Sequence, residues 1–140
     1  MPNTHVFGGV DRFRSPLRWI AAIGFVLAGI NHFHHPEFYR RIVPASFPSP
    51  AMLVAISGAF EIAGGLGLLI PRLRRAAGWG LIALLIAVFP ANVYMAFSTA
   101  LAQELHFHRW ILWLRLPLQA VFIAWIWFSA LASSARSNSN

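Results

Sequence analysis

Five polar side chains set in an otherwise apolar sequence could do chemistry: His32, Glu61, Asn92, Arg115 and Gln119. Together they offer an imidazole, a carboxyl, a guanidinium and two amides, the groups that bind carbonyl oxygens or pass a proton. Glu61 is the plainest case. It lies about ten residues into an apolar run, roughly 15 Å deep at 1.5 Å per residue, where a lone carboxylate is either protonated or paired. Gly58 and Gly65, three before and four after, share its helical face. Small residues there let a neighbouring helix approach, so the carboxyl points into a bundle and away from lipid. Arg115 lies roughly 8 Å into another run, with Gln119 one turn deeper on the same face and Pro117 freeing a backbone carbonyl between them. Asn92 follows Pro90, with Tyr94 nearby, and His32 with Asn31 closes the first run. Their common depth predicts one polar cluster, with Glu61 and Arg115 coupled across it. Two meanings stay open: a polar core that fixes helix register, or a site for a ligand, a proton or redox chemistry.

Histidine is the second signal. Five of the six (His32, His34, His35, His106 and His108) flank the same ends of the apolar runs. His32 and His35 would share a face if the first helix continued that far, and His106-x-His108 could approach them. Imidazoles suit zinc, copper or haem iron, and Glu37 or Glu104 could complete a set. No HExxH or comparable ligand pattern accompanies them, so His32, His35, His106 and His108 are weak metal candidates beside the deeper polar cluster. Gly64-Gly65-Leu66-Gly67 lacks the Lys-Ser/Thr of a phosphate loop and suits close helix packing better. Ser57 has no His-Asp context for nucleophilic catalysis. The chain has no cysteine, which excludes thiolate chemistry.

The elements that must position these groups follow from composition. The 140 residues are 58% hydrophobic and 11% charged, with a mean hydropathy of +0.62. Soluble domains carry about 25% charged residues, so a soluble enzyme is a poor fit. The net charge of +7 does not indicate nucleic acid, because all eleven bases are arginines and most sit in short clusters between apolar runs. Four runs, 17–33, 51–70, 76–97 and 110–132, have the length and composition of membrane spans. The sequence therefore predicts an all-α, multi-pass bundle of four transmembrane helices in one domain over 1–132, followed by a disordered polar tail, 133–140. The first ten or so residues read as disordered too.

Arginines give the orientation. Arg12, Arg14, Arg18, Arg72, Arg74, Arg75 and Arg136 fall on one side, against Arg40, Arg41 and Arg109 on the other. Seven against three predicts both termini in the cytoplasm. Trp19, Trp79, Trp125 and Trp127 fall toward that side, and Trp110 and Trp113 toward the other. A rival reading makes the first run a signal peptide cleaved near Val26-Leu27-Ala28, but the apolar run continues past that point. In the outer loop from His34 to Pro50, Pro36-Glu37 starts a short interfacial helix to about Val43.

At these residues the sequence resembles the DoxX-like family of small four-helix membrane proteins. The resembling segments are Gly29-Ile30-Asn31-His32-Phe33 with Pro36 and Phe38-Tyr39, and Ser57-Gly58 through Glu61-Ile62-Ala63-Gly64-Gly65-Leu66-Gly67 to Pro71. Phe89-Pro90-Ala91-Asn92 and Arg115-Leu116-Pro117-Leu118-Gln119 complete them, over about residues 17–128. The resemblance implies a bundle in the bacterial cytoplasmic (inner) membrane, and relatives that look like subunits of quinone-linked or oxidative-stress complexes. It carries over no catalytic residues. Two functions follow. One is a redox-associated subunit that binds a quinone-like ligand in the outer half of the bundle, beside a redox-enzyme partner. The other is a non-enzymatic interaction or assembly protein, whose buried polar residues are structural. A haem or metal cofactor ranks below a quinone, self-association into a homo-oligomer stays open, and a transporter would need it for alternating access.

Overall fold

The computed structural model describes residues 8–104, 106 and 108–132. Among them every element is helical: α1 (Gly8–His34), α2 (Pro36–Ile42), α3 (Pro50–Leu69), α4 (Arg74–Phe97), α5 (Thr99–Glu104) and α6 (Arg109–Ile126), with a π-helical turn at Trp127–Leu131. Four stretches are long and apolar enough to cross a membrane: Phe13–His34, Pro50–Leu69, Arg74–Phe97 and Arg109–Leu131. This is an all-α, four-span membrane fold.

Proline sets several boundaries. Pro36 and Pro50 occupy first helical positions, where their missing N–H is no loss. Pro71 begins the tight turn that reverses the chain between α3 and α4, closed by the Arg74 N–H on the Ile70 carbonyl. The four long helices alternate in direction. One end of the bundle therefore holds the start of α1, the α3–α4 turn and the π turn, and is called here the terminal end. The other holds α2, α5 and the intervening loops, and is called the loop end.

Three boundaries differ from the sequence reading. α1 begins at Gly8, so residues 8–10 join the helix where disorder was expected. The last span ends in a π-helical turn, and α5 was not anticipated because its TALAQE sequence is too short to show a period. The tail 133–140 lies outside the described residues.

Neighbouring helices pack in the order α1–α3–α4–α6, and α6 meets α1 mainly at the terminal end. There the indole N–H of Trp125 donates to the Leu17 carbonyl (3.1 Å) and Arg18 donates to the Ser129 carbonyl (3.3 Å). The closest approach is between α1 and α3. A Cβ at Gly58 would stand 2.8 Å from the His32 Cβ, and one at Gly65 would stand 2.8 Å from the Ala22 carbonyl oxygen. Only glycine allows backbones this close.

Two separate apolar clusters hold the bundle. The terminal-end cluster contains Ala21, Ala22, Leu68, Leu81, Ile82, Ile126, Ala130 and Leu131. The loop-end cluster joins Ile42, Met95, Ala96, Leu101, Ala102 and Leu112. Between them the helices do not close.

Candidate functional site

The space between the two clusters is a cavity of about 970 Å³. α1, α3, α4 and α6 all contribute to its wall, and α2 with the following loop covers it toward the loop end. The lining is largely aliphatic and aromatic. All five of the side chains singled out from the sequence, His32, Glu61, Asn92, Arg115 and Gln119, line this one cavity, joined by Tyr39 and Ser57. Several wall residues, Ile20, Phe60 and Phe122 among them, are exposed.

His32 is held by its Nδ1, 3.1 Å from the carbonyl oxygen of Val54. A carbonyl can only accept, so Nδ1 carries a proton and Nε2 is the variable nitrogen. Nε2 faces Glu61 Oε2 at 3.6 Å. That oxygen is buried and makes no hydrogen bond. Gly58 is what permits this meeting, because any side chain there would collide with His32. A carboxyl oxygen opposite an imidazole nitrogen of fixed tautomer is an arrangement in which one proton can lie on either partner.

The Tyr39 ring lies against the His32 ring at a 35° tilt, with centroids 3.8 Å apart, and its hydroxyl accepts from Asn31 Nδ2 at 2.9 Å. Like Arg115, it lines the cavity. Sequence reasoning passed over Tyr39 as a site residue because it sits in a loop helix. Its signal was the position almost one turn after Pro36, on a short helix expected to lie in the membrane interface. Asn92 donates to Gln119 Oε1 (2.8 Å), and Gln119 donates in turn to the Leu85 carbonyl. Pro90 lacks the N–H that would reach the carbonyl of Ile86, the neighbour of Leu85, so the helical ladder is interrupted close by. Gln119 is buried, and this link ties α6 to α4 across the cavity wall.

The expected Glu61–Arg115 pair does not form. Glu61 has His32 as its partner, and Arg115 contacts the Met95 sulfur at 3.9 Å. Depth along a helix says nothing of azimuth, and α3 and α6 stand on opposite sides of the cavity. Tyr94 is exposed and does not line it. The histidine set does not assemble either. His35 is exposed at the start of α2, while His106 and His108 line a separate pocket of about 280 Å³ with Thr99 and Arg109. Glu37 and Glu104 pair with Arg40 (2.6 Å) and Arg41 (3.1 Å). No group of three or more metal-ligating residues comes together among the described residues.

Residues 21–130 match a family described as a domain of unknown function, DUF8561. The chain belongs to this family. The match extends from the first span into the last, so it includes every residue of the polar cluster. No curated protein and no solved structure matches the chain. The DUF8561 description assigns no activity, and the chemistry of the cavity carries the functional reading.

Proposed function

We propose that this protein is a redox-associated subunit of the bacterial cytoplasmic membrane that holds a quinone-like molecule between its four helices. The observation that carries the reading is the cavity itself. Sites for small organic ligands run to about 300–1,000 Å³, with apolar walls and a few converging polar groups. Here the volume is about 970 Å³ and the polar groups are His32, Tyr39, Glu61, Asn92, Arg115 and Gln119. A quinone has an apolar ring and tail and two carbonyl oxygens. The Arg115 guanidinium and the amides of Asn92 and Gln119 are donors suited to those oxygens. His32 and Glu61 supply a proton-exchanging pair beside them. The exposed wall residues offer entry from the bilayer, the phase in which such a molecule dissolves. The resemblance to DoxX-like proteins agrees with this reading, and the arginine distribution supports a cytoplasmic location for both termini.

Purification in mild detergent, followed by an absorbance spectrum and organic extraction, tests the proposal. A quinone at about one per chain, depleted in Arg115→Gln, is the expected result. A protein without extractable ligand that carries a stoichiometric partner protein would instead favour an assembly role, with the polar groups serving helix register.

A further inference from the structure

The cavity is polar at one end and apolar at the other. Its α1 wall is a stripe at four-residue spacing, His32, Ala28, Gly24 and Ile20, which is one helix face followed from the loop end toward the terminal end. The α4 wall repeats the pattern with Asn92, Val88, Leu84 and Gly80. On α6, which runs the other way, Arg115 and Gln119 give way to Phe122 and Ile126. α3 lines only the loop-end half, from Leu53 to Glu61. Ile20 and His32 are twelve residues apart, so the wall is about 18 Å long at 1.5 Å per residue. His32, Tyr39, Glu61, Asn92, Arg115 and Gln119 all stand in its loop-end half.

Two glycines in the apolar half have no packing role. A Cβ added at Gly24 or Gly80 would meet nothing within 4 Å, whereas at Gly58 and Gly65 it would collide with α1. A glycine inside a helix is a poorer helix former than any residue but proline, so close helix contact does not account for these two. What their missing side chains leave is width, since both line the cavity. On the reading of a quinone-like ligand, we infer that the apolar half is a slot for the ligand's tail, and that Gly24 and Gly80 set which tails the site accepts. The ring lies toward the loop end, at Arg115 and Asn92, and the tail runs between Gly24 and Gly80 toward Ile126. A ring without a tail would leave the lining of this half short of dispersion partners. A tail gains little by leaving lipid for an equally apolar wall, so the slot selects by fit, through room that a side chain would remove.

Equilibrium binding to the detergent-solubilised protein of two probes, the tail-less ubiquinone ring and the same ring carrying a decyl tail, tests the inference. Each variant is compared with wild type probe by probe, so that partition into micelles cancels. Gly24→Leu and Gly80→Leu should each weaken the decyl probe about tenfold, as bulk placed in occupied space does, and leave the tail-less ring within about twofold. Their Tm values should stay near wild type. Arg115→Gln should weaken both probes alike, because the ring is common to them. Equal weakening of the two probes by the leucine variants, or no weakening of either, would overturn the tail slot while the quinone reading stands. If neither quinone binds wild type but dodecanoate does, and both leucine variants lose it, the slot holds for an alkyl chain and the quinone reading falls. Failure of all three probes to bind would overturn both.

Discussion

Replacing both members of the His32–Glu61 contact tests whether the polar cluster is wired as the structure shows. His32→Asn keeps a donor near the Nδ1 position for the Val54 carbonyl and deletes Nε2. Glu61→Met deletes the carboxyl at similar length. With Nε2 and Oε2 3.6 Å apart, a full ion pair would attract by about 5 kcal/mol at an effective dielectric near 20. A proton shared between neutral partners is worth about 1 kcal/mol net. Polar couplings measured inside membrane proteins reach about 1.7 kcal/mol, since partners also exist in the unfolded membrane state. The expected coupling is therefore about 1–2 kcal/mol. In a chain of this size each kcal/mol moves the Tm by roughly 4 °C. The double variant should thus melt several degrees above the value additivity gives. The parallel cycle of Glu61→Met with Arg115→Gln should be additive to within about 0.5 kcal/mol, because those two share no direct contact. Both cycles can be read by thermal unfolding in one detergent. Additivity for His32, or a larger coupling for Arg115, would refute the assignment of Glu61 to the imidazole.

Glycine substitutions separate packing from cavity. Gly65→Leu should destabilise by about 1–3 kcal/mol, because its Cβ already meets the Ala22 carbonyl and the Val26 backbone, which cannot yield without moving α1. Gly80→Leu should fold with a Tm near wild type, since nothing lies within 4 Å of its added Cβ; yet Gly80 lines the cavity, so ligand extracted per chain should fall. Equal Tm losses in the two variants would contradict these placements. For topology, the chain has no cysteine of its own, so single introduced cysteines report cleanly. A cysteine beside Pro44 should react with an impermeant reagent added to intact cells and one beside Arg75 should not; the reverse pattern would refute the cytoplasmic placement of the termini.

Four spans could be read from the sequence because crossing a bilayer demands about 20 apolar residues, and that demand is local. The polar cluster was legible for the same reason. His32, Glu61, Asn92, Arg115 and Gln119 stand out against apolar neighbours, and depth is simply residue count times rise. Gly58 and Gly65 foretold a close contact through their spacing, and α1 supplies it. What the sequence could not give was azimuth across the bundle. Which side chain meets Glu61 depends on how α1, α3 and α6 are rotated and arranged, and those are properties of contacts between segments far apart in the chain. Hence Glu61 faces His32, held in place by the Val54 carbonyl and the gap at Gly58, while Arg115 stands apart across the cavity. The cavity was equally invisible beforehand, because an empty volume belongs to no residue. It exists because two apolar clusters close the ends of the bundle and leave its middle open, and Tyr39 reaches it only because the loop helix α2 folds back over the opening.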